Sequence, residues 1–177
     1  MLSFKIGQKV VYPNHGVCLV KKIEPTKIAD TDEVFYHLRL FSNDSKVMVP
    51  EYNLDLVGLR ALNPPKAIKA LFRTLQDGDV DTYKDWKGRY KQNLDKMKTG
   101  DLTEVAKVLK NLRLVSSKKS LSFREKKMYE RAKYFIVSEV AHVENLDEEK
   151  ADKKVERALE LTMQKRAKAI EESGASS

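Results

Sequence analysis

Cysteine is all but missing from this sequence: Cys18 stands alone in 177 residues. A single thiol excludes an internal disulfide and any multi-cysteine zinc or iron–sulfur site. Histidine is scarce as well, and His15, His37 and His142 show no metal-ligand spacing such as HxxxH. No GxxxxGK or GxGxxG loop is available to cradle a phosphate, and no GxSxG turn to present a nucleophile. Long apolar runs are absent too. The longest aliphatic and aromatic stretch, Tyr134–Val137, is far too short to cross a bilayer. The opening MLSFKIG lacks the apolar centre of a signal peptide. These absences predict a non-catalytic, cytoplasmic protein without metal, cofactor or membrane partner.

What the sequence does contain is enough apolar material for a core, 41%, interleaved with 34% charged residues. Its length suits one domain or two small ones. The net charge of +8 favours a polyanionic partner. That charge is unevenly placed. Residues 1–60 carry a net +1, residues 61–145 a net +8, and residues 146–177 a net −1. If nucleic acid is bound, the middle region binds it.

Periodicity divides the chain at nearly the same point. QKVVYP, GVCLVKKIE, EVFYHLRLF and KVMVP are short, rich in β-branched and aromatic residues, and separated by turn signals at 14–16, 29–32 and 42–45. Phe35, His37 and Arg39 alternate with Tyr36, Leu38 and Leu40. This pattern predicts a small antiparallel barrel or strongly bent sheet over 1–60. After Gly58 the period becomes helical. Asn63-Pro64-Pro65 opens a helix ended by Gly78, and a second helix is expected from about Asp79 to Lys98. Asp101 with Glu104 and Ser122 with Glu125 have capping-box spacing, and Asp147 opens a last helix. An α+β chain follows: a β-barrel unit over 1–60, about five helices over 61–170, and a frayed tail over 171–177.

One segment stands out chemically. From Thr82 to Met97, aromatic residues alternate with cations, and on a helix Trp86, Arg89, Tyr90, Asn93 and Met97 share a face flanked by Lys87 and Lys91. Such a face can be the core side of a bundle. It can also line a groove in which cations neutralise phosphates and the indole stacks on, or wedges between, bases. Gly88 in mid-segment would cost about 1 kcal/mol inside a helix, which points to a helix end or a close backbone approach there.

Four ordered stretches carry a further resemblance: F-K-I-G-Q-K-V-V-Y-P-N-H-G-V at Phe4–Val17, K-V-M-V-P at Lys46–Pro50, D-W-K-G-R-Y-K-Q-N-L-D-K-M at Asp85–Met97, and L-S-F-R-E-K-K-M at Leu121–Met128. With them the chain resembles the CarD/CdnL family of bacterial transcription regulators over about residues 3–165. Its N-terminal part also resembles the polymerase-interacting module of transcription-repair coupling factors. The resemblance implies a Tudor-like (SH3-like) barrel that docks on the β subunit of bacterial RNA polymerase and associates with the nucleoid through that enzyme; a monomer is the default expectation. It also implies a helical domain that contacts promoter DNA, mainly through backbone and minor groove. The implied polymerase contacts are Lys46, Val47, Met48 and Pro50. Some members have arginine at the positions of Met48 or Thr26, so this chain's contact is expected to be apolar. The implied DNA contacts are Trp86, Lys87, Arg89 and Lys91, with Trp86 wedged at the upstream edge of the bubble to stabilise the open complex; Lys84, Asn93 and Met97 of the same segment are expected to join them. A non-catalytic protein–protein adaptor and an RNA-binding protein with a basic helical surface are the competing readings from the residues alone.

Overall fold

Alternation along the first sixty residues is realised as a five-stranded antiparallel sheet. The computed structural model describes residues 2–175, and the chain divides into two units between Leu62 and Asn63. The first unit holds β1 (Lys9–Tyr12), β2 (Gly16–Ile28), β3 (Thr31–Leu40), β4 (Lys46–Pro50) and β5 (Arg60–Ala61). Their hydrogen-bonded order is β4-β3-β2-β1-β5, so among the described residues the ladder has two ends, β4 and β5. A strand of two residues has no period, which is why β5 is invisible in the sequence. Along β3 the side chains of Tyr36, Leu38 and Leu40 are buried, while Phe35, His37 and Arg39 face outward, as a period of two requires. With Phe4, Val10, Cys18, Val20, Val49, Leu54 and Leu59 the inward set forms one core. The β2–β3 register shifts between Val20 and Lys22. Such a bulge re-aims the side chains beyond it, and the outer half of the hairpin is mostly exposed.

The second unit is all helical: α1 (Pro65–Gln76), α2 (Trp86–Lys98), α3 (Leu102–Lys118), α4 (Phe123–Glu144) and α5 (Glu148–Gly174). Their apolar stripes converge on Ile68, Leu71, Leu75, Val105, Val108, Leu109, Leu112, Ile136, Val155 and Leu159. The starts of α3, α4 and α5 follow the capping residues. Asp101 accepts from the Thr103 and Glu104 amides, Ser122 and Glu125 form a complete capping box, and Asp147 accepts from the Lys150 amide. The Glu104 carboxylate instead holds Lys107 at 2.6 Å. Two boundaries differ from expectation. α1 is capped by Pro64, because the Asn63 backbone and side-chain amides both donate to buried Glu139, at 2.8 and 2.9 Å. Residues 171–174, expected to fray, continue α5 to Gly174, and residues 176–177 lie outside the described ones.

The C-terminus of α1 shows how the bundle satisfies its own backbone. The last carbonyls of a helix have no intrahelical donor. Lys110 donates to the Thr74 carbonyl at 2.6 Å, Thr162 to that of Leu75, and Lys165 to that of Gln76 at 2.7 Å. Gly78 then turns the chain with φ +86°. A Cβ there would sit 3.0 Å from that of Lys165.

Candidate functional site

The sequence from about Asp79 to Lys98 reads as helix, but residues 79–85 are a non-helical strap and α2 begins only at Trp86. Tertiary hydrogen bonds decide this. Asn93 donates to Asn111 at 2.9 Å, and Asn111 donates to the Asp81 carbonyl at 2.7 Å. Lys96 pairs with the Asp81 carboxylate and donates to the Tyr83 hydroxyl at 2.9 Å. Burial pulls the Lys96 ammonium down, but Asp81 and Tyr83 outweigh it and hold it above the ordinary lysine value. The strap delivers Asp85 as N-cap, accepting from the Gly88 amide at 2.7 Å. Gly88 therefore lies in the first turn, a helix end.

This start presents Trp86 outward, 39% exposed. Tyr90, one turn on, stacks behind it with ring centroids 5.8 Å apart and planes 20° apart. Lys84, Lys87 and Lys91, all within five residues of Trp86, are exposed. The remaining expected contacts are corrected by the fold. Arg89, Asn93 and Met97 are buried, 6%, 1% and 5% exposed. Met97 belongs to the helical core, Asn93 serves the strap, and the Arg89 guanidinium donates from Nε to Glu125 at 2.8 Å, with Nη2 2.7 Å from the same oxygen. Helical spacing placed all five residues on one side, but it could not show that the 89–93–97 line faces α3 and α4 while 86 and 90 lie at the rim.

The Arg89–Glu125 pair also recruits residues that helix-by-helix reasoning missed. It ties the first turn of α2 to the first turn of α4, whose leading residue Phe123 is 74% exposed. Arg124, Lys126 and Lys127 are exposed beside it, and Lys127 Nζ lies 5.6 Å from the Phe123 ring centroid. Two helix starts, each led by an outward aromatic and flanked by cations, are thus held together by one buried ion pair. The only advance signal was the match at Leu121–Met128. The contact itself spans 36 residues.

In the sheet unit, β4 is an end strand of the ladder, with one main-chain edge that pairs with no other strand among the described residues. Met48 is 49% exposed and Lys46 is exposed, opposite His37 and Arg39 of β3. Pro50 is half-buried opposite Phe35. Val47 packs partly against the core, so it offers the edge backbone rather than a side chain. Tyr52 and Leu56 just beyond β4 are 66% and 82% exposed, and the sequence had not singled them out. Cys18 is fully buried. Burial pushes its thiol up to about 11, against a smaller lowering by the hydrogen bond with the Tyr12 backbone, so it is no nucleophile at neutral pH. Among the described residues no cluster of His, Cys, Asp or Glu could hold a metal, and no helix is long and apolar enough to cross a membrane.

Comparison with known proteins matches both units. Residues 4–62 match the CarD-like/TRCF RID domain, and residues 70–156 match the CarD C-terminal domain. YdeB of Bacillus subtilis (strain 168), described as a candidate transcription factor, is 32% identical over 145 residues, 82% of this chain and 95% of that one. The chain belongs to the CarD family. Solved relatives of its sheet unit include the N-terminal domain of Myxococcus xanthus CarD, 36% identical over 34% of this chain and 81% of that one, TM-score 0.30. CdnLNt from the same bacterium is 42% identical over 35% and 87%, TM-score 0.30. Membership places this CarD-family chain among transcription regulators, with the exposed Trp86 in its C-terminal domain and β4 in its RID domain.

Proposed function

We propose that the chain is a non-enzymatic, cytoplasmic regulator that docks its sheet unit on the β subunit of bacterial RNA polymerase and stabilises the promoter open complex with Trp86. One observation carries the reading: an exposed indole, backed by Tyr90 and near in sequence to the exposed Lys84, Lys87 and Lys91, at the start of a helix whose other face is locked into the bundle. A minor-groove wedge needs this combination. The indole fills an unstacked step, its scaffold resists displacement, and the lysines position it on phosphates without reading sequence. Phe123 with Arg124, Lys126 and Lys127 extends the same surface toward the backbone. The wedge fits distorted DNA better than closed duplex, and only that difference shifts the equilibrium. Docking through the β4 edge and Met48 supplies the address, because a tethered module sees its target at effective concentrations on the order of mM.

The deciding measurement is open-complex lifetime on one promoter with wild type and Trp86→Ala. The variant should shorten it about tenfold, equivalent to about 1.4 kcal/mol of coupling, while retaining polymerase. An unchanged lifetime would remove the wedge from the mechanism.

A further inference from the structure

Between α1 and α5 lies an open groove of about 600 Å³, away from the Trp86 surface. Its lining comes from one stripe on each helix that borders the core, with Phe72 packed against the core and Ala158 part of it. On α1 this stripe is Lys69, Phe72 and Arg73, and on α5 it is Lys154, Arg157, Ala158 and Leu161. Phe72, Ala158 and Leu161 make an apolar floor. Lys154 is already committed: both Glu144 oxygens hold its ammonium, at 2.9 and 2.7 Å, and it sits 4.5 Å from the Phe72 ring centroid. Lys69, Arg73 and Arg157 are exposed, and among the described residues none of them forms an ion pair.

Floor and rim ask for different groups in one ligand. A phosphate chain would use the rim and leave the floor facing water. A wholly apolar helix would cover the floor and strand three cations. An amphipathic helix with apolar residues on one stripe and carboxylates flanking it satisfies both. We propose that the α1–α5 groove docks an acidic amphipathic helix of a partner protein. Glu125, at the DNA end of α4, and Glu144, at the groove, stand about 28 Å apart at 1.5 Å per residue, so both surfaces can be occupied together. The inference is independent of the Trp86 reading.

The test uses the full chain and a fluorescein-labelled peptide of about 18 residues, five helical turns, with leucines at i, i+3, i+4 and i+7 and glutamates beside them. Anisotropy should report binding, with a scrambled peptide of identical composition about tenfold weaker. Arg73→Glu with Arg157→Glu, and separately Leu161→Gln, should each weaken the designed peptide about tenfold or more and leave affinity for forked DNA unchanged. Leu161 is 39% exposed, so its variant keeps the fold. Four results would each overturn the proposal: no binding up to about 1 mM, the weak limit of useful affinity; equal binding of the scrambled peptide; indifference to the groove substitutions; or displacement of the peptide by duplex DNA, which would assign the cations to phosphate.

Discussion

At the scale of single residues, the same side-chain type does opposite work depending on which way its helix turns it. Arg89 and Lys87 are both cations beside the tryptophan, yet only Lys87 is free to meet a phosphate. Arg89→Ala leaves Glu125 as an uncompensated buried charge, a loss of about 3–5 kcal/mol. Chemical denaturation should show that loss. Lys87→Ala should barely move stability while weakening DNA binding. Ala29 is a second case. It occupies the β2–β3 turn with φ +55°, where an L side chain is crowded against its own carbonyl. Ala29→Gly should stabilise the sheet unit by about 1 kcal/mol, seen as a raised melting temperature. Aromatic–cation alternation could flag residues 82–97 in the sequence, but burial, a property of neighbours distant in the chain, selected among them.

At the scale of elements, the starts of α3, α4 and α5 and the end of α1 before Gly78 were legible, and the start of α2 was not. Ser122, Asp101 and Asp147 cap locally, so sequence spacing suffices for them. The end of α1 and the strap before α2 depend on donors from α2, α3 and α5, namely Lys96, Asn111, Lys110, Thr162 and Lys165. Adding a Cβ there has a cost: Gly78→Ala combines a positive φ with a 3.0 Å approach to Lys165 and should destabilise by about 1–2 kcal/mol. The α2–α4 junction should also be acid-sensitive. Burial raises the Glu125 carboxyl, but the hydrogen bonds from Arg89 and from the Ser122 backbone and hydroxyl outweigh it and hold it below its ordinary value of 4.5. A depressed folded-state value means the contribution is complete above pH 4.5 and is withdrawn as pH falls below it. Melting temperature followed against pH should drop there in the wild type, and a Glu125→Gln variant, already weakened, should show a shallower decline.

At the scale of the whole molecule, the proposed function divides the work between the two units, address in one and action in the other. Met48→Asp introduces a charge at the exposed β4 edge and should abolish polymerase pull-down while the helical unit keeps its far-ultraviolet signature. Titrating the full chain onto forked DNA should give an affinity that falls with salt, with a log–log slope of about −3 for three or four phosphates. Replacing Lys87 and Lys91 by glutamine should reduce that slope by about 2. Trp86→Ala should leave the slope intact, because an indole releases no counterions. Salt slope and open-complex lifetime thereby separate the positioning lysines from the wedge.

Composition and period, taken alone, determined that the chain carries a small β unit followed by a basic helical one. Those properties are sums or repeats over neighbours along the chain, so they survive without coordinates. Which cation meets solvent, where α2 begins, how Phe123 joins Trp86 and where the α1–α5 groove opens were decided by tertiary structure. Each depends on a contact between residues far apart in sequence, and no local pattern encodes the partner at the other end.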